Sequence, residues 1–420
     1  MTKTVTTGKA TDLITFTRST TGTYLGSDGL LKTANTNEPR IEYDADGNLK
    51  GLLIEEQRTN LATDSEDLII PSSRLTADSV LAPTGEIIAQ SWKIVLQTSG
   101  YWYQRPAINS GSTYTTSVFV KLPTEANNAG LRYVRLGAQT TFPAASAVFD
   151  LQTGTQTSAD AGLVGSSITP YGNGWYRISI TDTATSTTSG ESFSFVLFPA
   201  SNSSGGAWTQ TSDMIGKYLL HTFGWQTETG SFPTSYIPTS GSTVTRTSEQ
   251  ASLNASLFEY NGNEGTTLIE FDKTNWAYTT TFPRVYSWGH GSQSVDILNE
   301  VYNYGNSEPN SGNIRFRVDD AGGAHSAVFG PDYISGSQND NIAKVALALK
   351  DNDMAIAWNG TVPHTDTTGS PAIDLVTALY IGSKFVESSS SVNDYMNGHI
   401  KSIKYYPVRL TNDEIKALTL

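Results

Sequence analysis

The chain has 420 residues, enough for two to four domains at roughly 100–200 residues each. With 40 acidic against 27 basic residues the net charge is -13, so a polyanionic partner such as duplex nucleic acid is repelled unless a local basic stripe exists, and none is visible. Cysteine is absent, which excludes disulfides, thiolate nucleophiles, Cys-ligated zinc and iron–sulfur clusters, while charged residues make up only 16% and leave Thr, Ser, Gly and Asn to solvate the surface.

The opening stretch Met1-Thr-Lys-Thr-Val-Thr-Thr-Gly-Lys9 lacks the apolar core of a secretion signal, and no window approaches the ~18 apolar residues of a membrane span. A product of the cytoplasm without membrane insertion is expected. Period-2 alternation then dominates, broken roughly every eight to twelve residues by Gly, Asn, Asp, Ser or Pro, which is the pattern of sandwiches or barrels rather than of βαβ units. The chain is therefore read as all-β: a small N-terminal β module followed by two β-sandwich, jelly-roll domains. The first segment, residues 1–62, carries two Asp-Gly hairpin signals, Ser27-Asp28-Gly29-Leu30 and Ala45-Asp46-Gly47-Asn48, and is small for a core of its own. The second, 63–248, holds predicted strands at Thr113–Lys121, Trp175–Thr181 and Ser192–Phe198 and ends in Ser231-Phe-Pro-Thr-Ser-Tyr-Ile-Pro-Thr-Ser-Gly, whose two prolines mark an extended linker. The third, 249–420, opens on Thr266-Thr-Leu-Ile-Glu-Phe-Asp and continues through strands at Ile314–Val318 and Lys344–Lys350. It closes on a short helix announced by the capping box Thr411-Asn-Asp-Glu414 before Ile415, Ala417 and Leu418.

Catalytic signatures are sparse. His221, His290, His325, His364 and His399 are scattered, with no His-x-His or His-Glu-x-x-His, so no metal ligands are assigned. Gly-x-Ser-x-Gly is missing, and Gly172-Asn-Gly174 and Gly289-His-Gly291 lack the third glycine and the helix of a dinucleotide loop. Asp44, Asp46, Asn48 and Glu55 stand at positions 1, 3, 5 and 12 of a calcium loop, yet Leu49 occupies the sharp-turn position and the flanks read as strands, so a plain hairpin is the better account. Glu270-Phe-Asp272 places two acids on one strand face, like the start of the Glu-x-Asp-x-x-Glu signature of sandwich-fold glucanases, but Asn275 replaces the last carboxylate and cannot deliver a proton. No catalytic residue is assigned, and the chain is read as non-enzymatic.

Aromatic clusters are the remaining chemistry. A flat ring offers an apolar face to the C–H side of a sugar, while Trp and Tyr keep a polar edge for water, and nearby Asn, Asp and Thr can bond the hydroxyls. Tyr101, Trp102, Tyr103, Trp276, Trp288, Tyr302 and Tyr304 are the carbohydrate-binding candidates on this ground, whereas Trp175 and Trp225 read as core.

A family resemblance enters through longer motifs. Thr15-Phe-Thr-Arg18-Ser-Thr-Thr-Gly-Thr-Tyr24, Asn37-Glu-Pro-Arg40-Ile-Glu-Tyr43 and Gly51-Leu-Leu-Ile-Glu55-Glu-Gln-Arg-Thr-Asn60-Leu resemble a module recurrent in bacteriophage tail-fibre and other virion proteins. Gly172-Asn-Gly174-Trp-Tyr-Arg177, Phe223-Gly-Trp225-Gln-Thr-Glu228 and Thr234-Ser-Tyr236-Ile-Pro-Thr239 resemble the carbohydrate-binding-module-like jelly rolls that follow it. Lys344-Val-Ala-Leu-Ala-Leu-Lys350, Ala357-Trp358-Asn-Gly360, Tyr380-Ile-Gly382 and the run from Asn397 to Thr411 are similar to concanavalin A-like, laminin-G-type lectin domains. The resemblance implies a late viral structural protein, usually trimeric, that attaches to the particle and touches the host surface glycan. With no long shaft, β-helix repeat or acid pair, a short tail or head fibre is expected, recognising host surface glycans through its lectin-like sandwiches. Its expected partners are other virion proteins, host surface polysaccharide and copies of itself in a homotrimer, and its location is the virion, assembled in the bacterial host cytoplasm. A purely structural decoration or cement protein is the alternative reading, and a glycan depolymerase the third. No cofactor is expected; calcium, frequent in concanavalin-type domains, finds no ligand set that can be matched residue by residue.

Overall fold

The computed structural model describes residues 13–67, 74–98, 100–139, 141–143, 145–190, 194–272, 284–289, 297–303, 312–319, 325–329, 342–368, 376–386, 391–393 and 395–420. The protein is all-β, and no described helix is long and apolar enough to cross a membrane. The expected strand Thr113–Lys121 is found at those bounds, and those at Trp175 and Lys344 run slightly longer, as Trp175–Thr183 and Ile342–Lys350. At the C-terminus, the Thr411 hydroxyl accepts from the Glu414 amide and the Glu414 side chain reaches back to Thr411, capping the helix Asn412–Leu418.

The middle of the chain forms two antiparallel sheets. One has six strands in the order Gly165–Tyr171, Trp175–Thr183, Thr113–Lys121, Tyr218–Thr229, Ile87–Ile94, Leu75–Leu81, and the other five in the order Thr155–Ala159, Ala145–Asp150, Tyr133–Ala138, Phe195–Ala200, Trp102–Gln104. Their apolar sides meet in a core that includes Trp92, Trp102, Val118, Leu136, Phe149, Ile178 and Trp225. Alternation alone would put Phe223 and Trp225 on the same side of their strand. A bulge opposite Ser117–Phe119, with Gly224 at φ +60, reverses the parity, so Trp225 enters this core while Phe223 points out of the six-stranded sheet. Side-chain space is also closed there, since a Cβ on Gly224 would lie 2.9 Å from Phe119 Cδ2.

Residues of the first and third segments build a second sandwich from two seven-stranded sheets. Thr15–Thr17 pairs with Gln250–Asn254 at the edge of one sheet, while Leu49–Ile54 pairs with Gly398–Tyr406 and carries Ile41–Tyr43 at the edge of the other. Hairpin Gly22–Leu25/Leu31–Ala34, turned by Gly29 at φ +71, stays outside these sheets. Its Leu31 joins Phe119, Trp175, Phe223 and Tyr236 in a cluster on the outer side of the six-stranded sheet. That sheet is therefore covered on both faces. The outer face of the five-stranded sheet is partly packed as well: Val148, Val196 and Tyr103 are buried, and a Cβ on Gly205 would lie 2.9 Å from Val148 Cγ2 and 3.2 Å from Arg135 Cδ, while Tyr101, Arg135 and Phe198 stay half-buried.

Candidate functional site

Period 2 decides which side chains reach that outer face. In Tyr133–Ala138, Val134, Leu136 and Ala138 point into the core, so Tyr133, Arg135 and Gly137 point out; in Phe195–Ala200, Phe195 and Leu197 point in, so Val196 and Phe198 point out. The same rule divides the run Tyr101-Trp102-Tyr103. Trp102 is 0% exposed and packs edge-on against Trp92, while Tyr101 and Tyr103 lie on the outer side of the strand with ring centroids 6.1 Å apart. Tyr101 is half-buried but Tyr103 only 9% exposed, so Tyr103 presents little ring face to a sugar and its platform reading is corrected too. Tyr101 also contacts Phe198, at 5.7 Å.

Each of these rings carries a guanidinium. Arg74 lies over Tyr101 at 5.3 Å, Arg105 over Tyr103 at 5.0 Å and Arg135 over Phe198 at 4.7 Å. Register places Arg135 directly opposite Phe198 on one side and Val148 on the other, with Gly137 in the next outward row between Val196 and Ser146. Because Gly137 has no side chain, the row dips to a groove of about 170 Å³ lined by Arg135, Gly137, Gln139, Ser146 and Asp160. Asp160 closes it by accepting from the Ser146 amide and hydroxyl.

The other sugar candidates fare differently. Trp288 is 2% exposed, packed among Phe258, Tyr260 and Tyr405 in the second sandwich, so it presents no ring face at the surface; the outward-platform reading of Trp102 and Trp288 is corrected on this ground. Trp276 and Tyr304, and the side chain of Tyr302, lie outside the described residues. Trp175 and Trp225 are core, with the Trp225 indole donating to Thr116 Oγ1 at 2.7 Å. Phe198 and the three arginines were not singled out from sequence, although Arg135 between Val134 and Leu136 carries the alternation that exposes it.

Two further clusters gather charge. At the junction of the sandwiches, Arg18, Arg40, Arg246, Glu55 and Glu249 are all buried: Arg18 Nη1 meets Glu249 Oε1 at 2.9 Å, Arg40 Nη2 meets Glu55 Oε2 at 2.7 Å and Glu249 Oε2 at 2.6 Å, and Arg246 Nη2 lies 3.4 Å from Glu55 Oε2. Ser235 of the linker donates its amide and hydroxyl to Glu55. Such a knot is costly to desolvate and holds only because nearly every donor finds an oxygen. Glu55 is thus held apart from the Asp44 turn, where Asp44 Oδ1 accepts from the Asp46 and Asn48 amides, so the calcium-loop spacing does not gather its four side chains.

On the outer side of the second sandwich, His399 Nε2 lies 2.6 Å from Glu42 Oε2, and its Nδ1 faces Asp272 Oδ2 at 3.5 Å, an ion-pair contact longer than a good hydrogen bond. Burial pushes the Glu42 carboxyl up, but the His399 bond and charge, with Lys50, outweigh it and hold the group at about 2. Glu270 pairs with Lys401 at 3.1 Å. Both acids of the Glu270-Phe-Asp272 strand are therefore engaged by cations. A cleft of about 320 Å³ at one end of the middle sandwich, between Leu122, Leu131, Leu219, Asn128, Arg132 and Gln152, has its one cation, Arg132, clasped by Asp150.

The sequence matches no family model and no curated protein. Among solved structures it is similar to the CBM40 of the Ruminococcus gnavus IT-sialidase bound to α2,6-sialyllactose, with TM-score 0.32 and 19% identity over 38% of this chain and 84% of that one. It is also similar to domains LG4-5 of the mouse laminin α1 chain, with TM-score 0.25 and 10% identity over 84% of this chain and 89% of that one. For the Trypanosoma rangeli sialidase the values are 0.27 and 10%, over 79% of this chain and 60% of that one. Likenesses this distant carry no residue and no role over to this chain.

Proposed function

We propose that the protein is a bacteriophage virion appendage, a short tail or head fibre, that recognises host surface polysaccharide through the outer face of the five-stranded sheet. The observation that carries this reading is the patch in which half-buried Tyr101 touches both Tyr103 and Phe198, with a guanidinium over each of the three rings, beside the groove at Gly137. Rings give a sugar apolar area and guanidiniums give its oxygens donors, the combination that open saccharide sites need. The virion setting rests on the motif resemblance of residues 15–61. Copies in a homotrimer would raise a weak single-site affinity by effective concentration.

The test is binding of the intact chain to host cells and to polysaccharide released from them, compared with Tyr101→Ala. Wild-type binding that the variant weakens about tenfold supports the reading; unchanged binding by the variant places recognition elsewhere. Burial of Trp102 and Trp288 favours a second reading, a decoration protein whose modules serve protein contacts alone. Absence of binding to any host glycan, with the chain still present on particles by immunogold labelling, would support it.

A further inference from the structure

The arginines on the outer face bear on which sugars it can take. A neutral pyranose stacks its C–H side on a bare ring, yet the rings of Tyr101, Tyr103 and Phe198 each carry a guanidinium at 4.7–5.3 Å. A guanidinium over a ring is held in place and weakly hydrated, which, where no carboxylate already holds its N–H edge, prepares it for a planar, two-oxygen anion. Arg135 shows this most clearly. Its guanidinium lies over the Phe198 ring with its stem beside the Gly205 turn, and among the described residues no carboxylate stands within ion-pair distance of it, whereas neighbouring Arg132 is clasped by both oxygens of Asp150. In a chain of net charge -13, a guanidinium without an ion-pair partner among the described residues is a local positive site.

The groove beside Arg135 adds a second element. Its volume, about 170 Å³, is below that of a pocket that engulfs a ligand, so it seats an edge. Arg135 stands at one wall, Gln139 and Ser146 offer hydrogen-bonding groups, and Asp160 at the far wall accepts hydroxyl protons and repels a second anion. Charge at one end and hydroxyl-binding groups at the other match a sugar that bears its own carboxylate.

We infer that the ligand of this face is a carboxylate-bearing polysaccharide, held by a bidentate contact from Arg135 with the adjacent sugar ring seated over Gly137. The inference rests on the glycan-binding reading above and narrows it to acidic sugars. Neighbouring sugars along the chain then meet Tyr101 and Phe198, so affinity accumulates over successive residues of the polymer.

The experiment titrates the intact protein, at fixed ionic strength, with polygalacturonate, alginate and hyaluronan, with the same polymers after reduction of their carboxyl groups to alcohols, and with polyphosphate. At least one polyuronate should bind, its reduced form at least tenfold more weakly, and polyphosphate no better than that reduced form. Arg135→Ala should lose about tenfold. Arg135→Lys, which keeps the charge but loses the fork and the stack, should recover little of it, and Gly137→Val should block the groove with every charge in place. Unchanged melting temperatures confirm that the variants fold. Equal binding of native and reduced polymers, or binding only of neutral host polysaccharide, overturns the acidic assignment and leaves the glycan reading standing. Polyphosphate binding as tightly as the polyuronates overturns it as unspecific charge attraction. Failure of every polymer, host polysaccharide included, removes both.

Discussion

At the junction of the sandwiches, Arg18, Arg40 and Arg246 are buried against Glu55 and Glu249, and most of their donors are taken up by carboxylates, backbone carbonyls and Ser235; on the five-stranded sheet, Arg135 lies over the Phe198 ring at 4.7 Å and is only half-buried. The same side chain is thus a tie, bound into an ion-pair network, in one place and laid against a ring in the other. What separates Arg135 from the buried three is the partner: a carboxylate holds their N–H edges, while the described partner of Arg135 is a ring. Motif residues fall on the first side of this comparison. Arg18, Arg40, Glu55 and Asn60 carry the resemblance to virion proteins, and all are buried in the joint, where the Asn60 amide donates to the Trp225 and Ile237 carbonyls.

The largest effect is expected at the joint. Glu249→Ala strands two buried guanidiniums and should cost about 3–5 kcal/mol in urea unfolding. A loss below about 1 kcal/mol would make the knot no better than a surface ion pair. Gly224→Ala should cost about 1–3 kcal/mol, because it adds a Cβ at φ +60 against Phe119 and undoes the bulge that separates Phe223 from Trp225. Near-UV circular dichroism should change with it; an unaltered spectrum and stability would argue against the parity switch.

The Glu42–His399 pair is an intermediate case, a tie that titrates. Burial and Lys50 push His399 down, but Asp272 and Glu42 raise it above 6.5, while Glu42 sits at about 2 against an ordinary 4.5. Folded Glu42 holds its proton less tightly than the unfolded chain does, so its stabilisation is present above pH 4.5 and fades as pH falls towards 2. Folded His399 holds its proton more tightly, so its stabilisation is full below pH 6.5 and fades as pH rises through its raised value. The pair contributes most between pH 4.5 and 6.5. Melting temperatures across pH 4 to 9 should decline on the alkaline side less steeply in His399→Gln than in wild type; identical slopes would show that the pair does not couple to folding.

Thr411→Ala removes the cap of the last helix and should cost about 1 kcal/mol. The smallest stability effect belongs to Arg135→Ala, within about 0.5 kcal/mol, since its removal exposes a ring and breaks no ion pair. A large loss there would place Arg135 among the ties.

Much of the fold was legible because alternation, Asp-Gly turns and the Thr411 capping box are local signals. Partnership between distant segments was not. Nothing in the first 62 residues announces that Thr15–Thr17 and Leu49–Ile54 complete sheets begun some 200 to 350 residues later, because an edge strand has the same alternation wherever it docks. Rings alone did not sort the site candidates: Tyr101, Trp102 and Tyr103 met the same criterion, but Trp102 went to the core and Tyr103 lies 9% exposed, leaving Tyr101 half-buried. Phe198 and Arg135 meet only across a sheet register that no local pattern encodes.

Hydroxyl-radical footprinting of the intact chain with polysaccharide shed by host cells tests the central claim most directly. Protection of Tyr101 and Phe198 is predicted, with Tyr260 and Tyr405 of the second sandwich unaffected. Protection confined to the second sandwich, or to the cleft around Leu122 and Leu131, would contradict it.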